Sequence, residues 1–368
     1  MSQARIGVAV LGGGSIAEYH LAGLAATRRA DVRVVTGRTQ AKVAALAQRF
    51  GVPAASTDVD ATLARPDVQA VVIATPDETH ERLAIAAAEA GKAILLQKPM
   101  AGSVAGGQRI VAAAARRGVD LQVSFMHRFF DEVVQARRWL DEGVIGRVLG
   151  ARIRNATPGP DWGAWFFRRD SVPNGVVDQL GVHGIDLVEQ MLGRVASVSG
   201  HARTALPQRR LRDGSVVDVD VIDNATATYR LLDGTFVAHE MSMTEVAGTD
   251  RFRMEIHGER GTLWLRTERG SLAAFAPARF GTQWHVATLA TMPFGQRQHD
   301  AWLAGIAGDG PRLETARDAL RGMAIVEALM RSAAARGVSM DVVEPASPFG
   351  AAHPPRDTHG MQGAAVTP

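Results

Sequence analysis

The stretch IGVAVLGGGSIA, residues 6–17, decides the fold of this chain. Its first half is an unbroken apolar run, which predicts a buried strand of a parallel sheet. Its second half fits the pattern G-x-G-x-x-G/A before a helical sequence, so its glycines allow the backbone to approach a pyrophosphate at the helix N-terminus. We therefore predict a dinucleotide-binding turn. The alternative is a tight glycine turn that binds no cofactor. The predicted phosphate-binding residues are Gly12, Gly14, Ser15, Ile16 and Ala17.

The alternation of apolar runs and helical patterns continues through the first third of the chain. Short, continuously apolar strands separated by alanine-rich helices are typical of a doubly wound α/β domain. We predict a Rossmann domain over residues 1–126, with strands at 6–11, 32–35, 70–74, 93–96 and 119–123.

The second part of the chain has a different pattern. From about residue 148 it shows longer strands joined by hairpin turns, for example at Asp233-Gly234. This predicts an α+β second domain, residues 127–344, with an open, mainly antiparallel sheet. Helices are expected at about 175–192 and, as the last element, at about 314–336. Residues 345–368 are rich in Pro, Gly, Ala and His without periodicity, and we expect a disordered tail there.

The composition excludes several classes of function. The 368 residues include no cysteine, which excludes disulfides, cysteine-ligated metals and a cysteine nucleophile, and fits a cytoplasmic protein. The net charge is only +3 and 41 basic residues are spread among 38 acids, so we expect no nucleic-acid partner. We expect no membrane partner and no metal, because no long apolar run and no metal-ligand spacing is visible. Only three basic residues are lysines: Lys42, Lys92 and Lys98.

The residues after the second strand bear on the choice of cofactor. An NAD-binding chain usually carries Asp or Glu there for the ribose 2′-hydroxyl. Here Gly37 occupies that place and Arg38 follows it. The missing carboxylate removes repulsion toward a 2′-phosphate, and an arginine can bind one. We predict that NADP(H) is preferred over NAD(H); the alternative is an exposed arginine in an arginine-rich chain.

Three further strings accompany the glycine turn: TPDETH at 75–80, QKP at 97–99 and GVVDQLGVHGID at 175–186. In this order and spacing they make the chain resemble the glucose–fructose oxidoreductase, inositol dehydrogenase and MocA (Gfo/Idh/MocA) family over about residues 5–340. The resemblance implies a Rossmann domain, an open-faced sheet domain, and a homodimer or homotetramer. It also implies hydride transfer between NAD(P) and a hydroxyl carbon of a small-molecule substrate: a sugar, a cyclic polyol or a sugar-acid derivative.

The family's Glu-Lys-Pro motif stands here as Gln97-Lys98-Pro99. In the family this lysine contacts the reacting hydroxyl and the proline is often cis; an ammonium at that place favours a developing alkoxide. The change from Glu to Gln97 removes a charge that could have paired with Lys98. The resemblance thus implies a catalytic role for Lys98 and cofactor contacts for Gln97 and Lys98. The alternative is a surface lysine at a strand end.

The family's third motif is often Gly-x-x-x-Asp-x-x-x-His. Gly175 and His183 match it, and Gln179 stands in place of the Asp. Gln179 and His183 share a helix face, whereas Asp178 is rotated from His183 by about 140° and could replace the missing Asp only through a helical bulge. A histidine suits proton exchange near neutral pH, so we expect His183 as the acid/base and Gln179 beside it in the catalytic set. The alternative for His183 is a core histidine.

Weaker matches complete the predicted site. The string at 75–77 matches the family's Thr-Pro-Asn, with Asp77 in place of Asn. The residues expected to lie by the cofactor are Thr75, Pro76 and His80, with a position on a helix surface as the alternative for His80. The residues expected to contact the substrate are Arg128, after the last Rossmann strand, and Trp162 and Trp165, on a Pro/Gly-rich loop. The two tryptophans are expected to stack on a sugar ring; the alternative is that they only pack within the loop.

Two other functions remain open beside an NADP(H)-dependent dehydrogenase or reductase acting on CH–OH. Gln97 and Gln179 are neutral where the family often has acids, which is compatible with a catalytically inactive regulator that binds a dinucleotide or sugar on the same fold. The presence of Lys98 and His183 argues against that reading. The other possibility is an enzyme that reduces and reoxidises its NAD within one closed cycle.

Overall fold

The computed structural model describes residues 5–247, 251–346 and Pro348. Of the predicted disordered tail it describes only Pro345, Ala346 and Pro348, so that prediction otherwise lies outside the described residues. Two large sheets organise the described chain, and separate apolar cores lie against them.

The first sheet has six parallel strands in the order β3-β2-β1-β4-β5-β6. Every residue of β4 and β5 is buried, because helices cover both faces, and this explains why these strand sequences do not alternate. The predicted Rossmann architecture is confirmed. The strands are β1 Ile6–Leu11, β2 Ala30–Thr36, β3 Ala55–Ser56, β4 Ala70–Ile73, β5 Ala93–Gln97 and β6 Leu121–Ser124. The helices are α1 Ser15–Ala26, α2 Gln40–Phe50, α3 Val59–Leu63, α4 His80–Glu89 and α5 Val104–Arg117.

The second sheet has nine strands in the order β16-β15-β14-β13-β7-β12-β11-β8-β17. All its neighbours pair antiparallel except β7 and β12, so the predicted open, mainly antiparallel sheet is confirmed. Its strands, with the separate hairpin β9–β10, are β7 Val148–Ala156, β8 Val195–Arg203, β9 Gln208–Arg210, β10 Val216–Asp218, β11 Asn224–Leu231, β12 Phe236–Ser242, β13 Phe252–Gly258, β14 Gly261–Arg266, β15 Leu272–Phe275, β16 His285–Val286 and β17 Met340–Asp341. The helices are α6 Asp131–Asp141, α7 Val182–Met191, α8 Pro277–Phe280, α9 Gln296–Ala307 and α10 Thr315–Ala334.

The two faces of the nine-stranded sheet differ in burial. Along β11 buried and exposed residues alternate, with Tyr229 buried between exposed Thr228 and Arg230. The buried side chains join those of α6, α7 and α10 in one core. The exposed row continues on β12 with Phe236 and Ala238, so the opposite face of the sheet is open to solvent.

The last two helices return to the first domain. Helix α9 packs on α1, and its Trp302 is fully buried against the first sheet. Helix α10 contacts β6 and α5 as well as α7 and β8. The sequence patterns predicted α10 but missed α9. The predicted divisions at residues 126 and 344 stay predictions, since helices from the second part of the chain pack on both sheets. Within the described residues no helix is long and apolar enough to cross a membrane.

Candidate active site

The glycine turn joins β1 to α1 and leaves its helix N-terminus accessible. A Cβ at Gly12, where φ is 144°, would lie 2.3 Å from the carbonyl oxygen of Ala74, so only glycine fits. A Cβ at Gly14 would meet no described atom within 4 Å. Gly14 is the N-cap of α1 and has no side-chain cap, so the amides of Ser15 and Ile16 lack an intrahelical partner. The turn therefore fits the pyrophosphate of a dinucleotide, with Ala17 buried behind it.

The place of the usual ribose-binding acid lies against this turn. A Cβ at Gly37 would lie 2.9 Å from Cγ1 of Val43 and 3.5 Å from the carbonyl carbon of Gly12. Close packing is thus a second reason for a glycine there, beside the choice of cofactor. Arg38 is exposed, and no hydrogen bond or ion pair joins it to another residue of the described part of the chain.

A histidine connects the turns that follow β4 and β5. The ring of His80 lies between two carbonyl oxygens, with Nδ1 2.7 Å from that of Pro99 and Nε2 3.0 Å from that of Thr75. The Lys98–Pro99 peptide bond is cis, as the resemblance implied. His80 is fully buried, and its side chain ties the backbone of Thr75 to that of Pro99. The expected place of His80 by the cofactor stays a prediction; Thr75 and Pro76 are partly exposed beside it.

The ammonium of Lys98 points to the start of the helix that carries the third motif. Its Nζ donates a hydrogen bond to the backbone carbonyl of Gln179 at 2.9 Å. Burial lowers the pKa of Lys98, and the carboxylates of Asp77 and Asp178 oppose that shift. Gln97 is buried and its Oε1 accepts from the amide of Lys98 at 2.8 Å, so the amide replacing the family's Glu holds the lysine's own backbone.

Gln179 and Asp77 form a direct pair beside this lysine. The Gln179 Nε2 donates to Oδ2 of Asp77 at 2.8 Å. Asp77 is buried, and the loss of solvent raises its pKa to about 7, although the charge of Lys98 and the hydrogen bond from Gln179 act in the opposite direction.

The helix that carries the third motif begins with a π-helical turn, Val177–Gly181, before α7. A π-turn changes the phase of the residues before it relative to those after it. Asp178 is buried here, and burial raises its pKa to about 6. Its carboxylate also interacts electrostatically with Lys98 and Asp77. Its carboxylate accepts from the amide and the side chain of Asn174 at 2.9 and 3.2 Å. The bulge that the sequence alone did not predict is therefore present.

His183 lies on the inner side of α7 and stacks on a second histidine. The rings of His183 and His127 are 4.1 Å apart, with 28° between their planes. Burial, together with the neighbouring His127, Lys98 and Arg251, lowers the pKa of His183 well below its usual value. Its buried Nδ1 has no hydrogen-bond partner among the described residues. The lowered pKa favours the neutral form of the His183 imidazole.

The three residues expected to contact substrate have different surroundings. The guanidinium of Arg128 binds the carboxylate of Asp186 through two nitrogens and Oδ2 of Asp318 at 2.8 Å, so it joins α7 to α10. Trp165 stacks on Phe166 at 3.7 Å between ring centroids. Trp162 is 57% exposed, although Arg212 lies 5.6 Å over its ring and Phe166 packs edge-on at 5.5 Å, so it is the more accessible of the two tryptophans for the predicted stacking.

Sequence reasoning missed four charged or titratable residues of this site. They come together from four separate segments of the chain and are Asp77, His127, Asp178 and Arg251. Asp77 had a signal, since it departs from the family's Asn, but its contact with Gln179 spans 102 positions. His127 directly precedes Arg128 and belongs to none of the predicted motifs. No group of three or more metal-ligating side chains that could hold an ion occurs in the described residues.

Two family models match the chain. Residues 6–125 match a model described as "Oxidoreductase family, NAD-binding Rossmann fold", and residues 133–264 match one described as "GFO/IDH/MocA C-terminal domain". The chain belongs to the Gfo/Idh/MocA family. It is therefore an oxidoreductase with an NAD-binding domain, as the motifs predicted.

Characterised relatives share most of the length of this chain. An inositol 2-dehydrogenase 2 of Mycolicibacterium vanbaalenii is 30% identical over 84% of this chain and 88% of its own length. A levoglucosan dehydrogenase of Pseudarthrobacter phenanthrenivorans is 28% identical over 72% of this chain and 74% of its own. A solved levoglucosan dehydrogenase in complex with NADH and levoglucosan has a TM-score of 0.83 and 25% identity, covering 93% of this chain and all of that one (100%). These Gfo/Idh/MocA relatives are named dehydrogenases, in agreement with the predicted enzyme class.

Proposed function

We propose that this Gfo/Idh/MocA chain oxidises or reduces a hydroxyl carbon of a sugar, a cyclic polyol or a sugar-acid derivative, with NADP(H) preferred over NAD(H). The observation that carries the proposal is the convergence of Lys98, Gln179 and His183 next to the glycine turn. Gly12 packs on Ala74, and His80 ties the following residue to the turn that holds Lys98. The relatives named above, which act on inositol and levoglucosan, support this substrate class.

The site residues divide the chemistry between them. A bound nicotinamide supplies the hydride acceptor or donor. The Lys98 ammonium donates a hydrogen bond to the reacting oxygen and stabilises negative charge that develops there. Burial and nearby cations lower the pKa of His183 and favour its neutral form, and its imidazole ring is the proposed acceptor of the hydroxyl proton. Gln179, Arg128, Trp162 and Trp165 are the proposed substrate contacts, Trp162 through its exposed ring.

The cofactor preference rests on Arg38, which is exposed and has no partner in the described part of the chain. We expect NADPH to bind more tightly than NADH in a fluorescence titration of the purified protein. Because a hydrogen bond between charged groups contributes about 1.5–3 kcal/mol, Arg38→Ala should weaken NADPH binding at least tenfold and leave NADH binding unchanged. Arg82→Ala, at another exposed arginine, is the matched control. NADPH affinity that does not change in Arg38→Ala would overturn the NADP preference.

Turnover distinguishes the proposed dehydrogenase from the two other functions. A screen of polyols, sugars and sugar acids should produce reduced cofactor, and Lys98→Met should abolish it while cofactor binding remains. An inactive regulator would bind the cofactor without any turnover. An enzyme with a closed redox cycle would convert substrate while its cofactor stays bound without net reduction.

The open face of the nine-stranded sheet supports a homodimer or homotetramer. Phe236 is 59% exposed on this face and Ala238 follows it toward the sheet centre. We expect light scattering of the wild type to give two or four chains, and Ala238→Arg to give the monomer. A monomeric wild type would contradict this assignment. A cytoplasmic location is proposed on the absence of cysteine alone.

A further inference from the structure

Two departures from the family motifs meet in the folded chain. Asp77 stands where the family often has Asn, and Gln179 stands where it often has Asp. Read separately, each changes the charge of one motif. The structure places the two side chains in contact, with Nε2 of Gln179 2.8 Å from Oδ2 of Asp77. Like the family's usual Asn and Asp, the pair consists of one amide and one carboxylate, but here the carboxylate is at position 77 and the amide at position 179.

The carboxylate of this pair is linked to the proposed catalytic lysine through Gln179, whose side chain binds Asp77 and whose backbone carbonyl binds Lys98. Asp77 is the residue that most strongly opposes the effect of burial on the pKa of Lys98, ahead of Asp178. Lys98 in turn donates to the backbone carbonyl of Gln179 at 2.9 Å. The lysine thus contacts Gln179, while the negative charge of Asp77 favours its protonated form. Asp178 is the second carboxylate that acts on Lys98, but Asn174 donates two hydrogen bonds to it.

Asp77 is held rigidly enough to position its neighbours. It begins a 3₁₀ turn in which the Thr79 hydroxyl donates to the carbonyl of Pro76 at 2.7 Å. The Thr79 hydroxyl also lies 2.6 Å from the Thr75 hydroxyl. His80 connects this turn to Pro99, directly after Lys98. The carboxylate and the lysine are thus carried by two turns that are tied together by a buried side chain.

We propose that Asp77 is the positioning carboxylate of the reaction centre, and that its charge replaces the one absent from position 179. It keeps Lys98 protonated in a buried site and orients the amide of Gln179 toward the substrate cleft. The inference rests on the proposed dehydrogenase function for its effect on turnover. Its effect on the charge of Lys98 does not depend on that function.

Reciprocal exchange of the two side chains tests the proposal. The variants are Asp77→Asn, Gln179→Asp and the double variant that carries both, with Glu78→Gln as control because it removes one exposed acid next to Asp77. Selective ε-¹³C labelling of lysine gives three signals, assigned with Lys42→Arg and Lys92→Arg, and their pH titration reports the pKa of Lys98. Turnover is compared at about pH 8.5, above the pKa of Asp77 of about 7. NADH fluorescence titration confirms that each variant keeps its cofactor site.

Asp77→Asn should lower the pKa of Lys98 by about one unit and turnover about tenfold or more, because the negative charge that most favours the protonated lysine is lost. The double variant should restore both values, and Glu78→Gln should resemble the wild type. An unchanged pKa of Lys98 in Asp77→Asn, or a double variant no more active than Asp77→Asn, would overturn the proposal. If Asp77→Asn does not fold, the double variant must exceed Gln179→Asp in turnover and in the stability of its fold. A wild type without turnover on any substrate would refute the dehydrogenase and leave the Lys98 titration to decide the role of Asp77.

Discussion

The same substitution at the two outer glycines of the phosphate-binding turn should affect different properties: stability at Gly12 and cofactor affinity at Gly14. At Gly12, φ is 144° and a Cβ would lie 2.3 Å from the carbonyl oxygen of Ala74. Such a backbone conformation costs a non-glycine residue about 1–3 kcal/mol, and relief of the overlap requires β1 and β4 to move apart. We expect Gly12→Ala to lower the free energy of unfolding by at least about 3 kcal/mol.

At Gly14 the same methyl group meets nothing in the described chain. Its φ of −109° and ψ of −173° are ordinary for any residue, and no described atom lies within 4 Å of the added Cβ. We expect Gly14→Ala to remain within about 0.5 kcal/mol of the wild type in stability. The methyl would occupy the space through which a pyrophosphate approaches α1, so cofactor affinity should fall at least tenfold, about 1.4 kcal/mol.

Urea denaturation measures the first effect and fluorescence titration with NADH and NADPH the second. Gly118→Ala is the matched control, because Gly118 has φ 63° at the end of α5 with no described atom within 4 Å of a Cβ. It should lose about 1 kcal/mol of stability and no cofactor affinity. Wild-type cofactor affinity in Gly14→Ala would refute the assignment of this turn as the pyrophosphate site. Stability of Gly12→Ala equal to that of Gly118→Ala would refute the packing argument.

Three further predictions follow from buried groups. Arg128→Leu leaves the carboxylate of Asp186 unpaired and should cost about 3–5 kcal/mol in urea denaturation, whereas a loss below about 1 kcal/mol would show that the pair is not stabilising. His183→Asn should lower turnover about 10²-fold or more at unchanged NADH affinity; a smaller loss would remove its assigned proton transfer. Burial lowers the pKa of His239 to about 3, so below pH ~6.5 only the unfolded chain takes up that proton and stability falls on acidification. His239→Gln should therefore reduce the acid slope of unfolding free energy by about 1.4 kcal/mol per pH unit, and an equal slope would contradict this.

The first sheet was predictable because its strands are buried on both faces. The apolar run at 6–11 coincides with β1, Ile6–Leu11, since no polar position interrupts a strand that helices cover on both sides. Helix α9 escaped prediction for the opposite reason. Its first residues are polar, and two of them, Gln298 and His299, are buried through bonds to Tyr19 and His20 at the other end of the chain. Because these buried residues are polar, the start of α9 lacks the apolar helical periodicity that would have predicted it.

The position of Asp178 shows where helix periodicity stops being informative. At 3.6 residues per turn Asp178 is rotated well away from His183, and the sequence has no mark of the π-turn that changes this phase. The turn is stabilised by contacts outside the helix. The Lys98 ammonium takes the carbonyl of Gln179, and Asn174 holds the carboxylate of Asp178 from the preceding loop. The bulge is thus a consequence of tertiary contacts, which a single sequence does not display.

The same limit explains why the site's charge was misjudged from its motifs. Gln97 and Gln179 each replace an acid, and counted motif by motif they leave Lys98 with no nearby carboxylate. Burying an ammonium without a counter-charge is costly, so a chain that keeps Lys98 must supply one from elsewhere. The turn after β4 supplies one through Asp77, whose contact with Gln179 joins two motifs 102 positions apart, and the π-turn adds Asp178. The effect of a motif substitution on the charge of the site therefore depends on the residues that contact it in the folded chain. Once Asp77 is included, Lys98 has a carboxylate beside it, as a dehydrogenase site with a buried lysine requires.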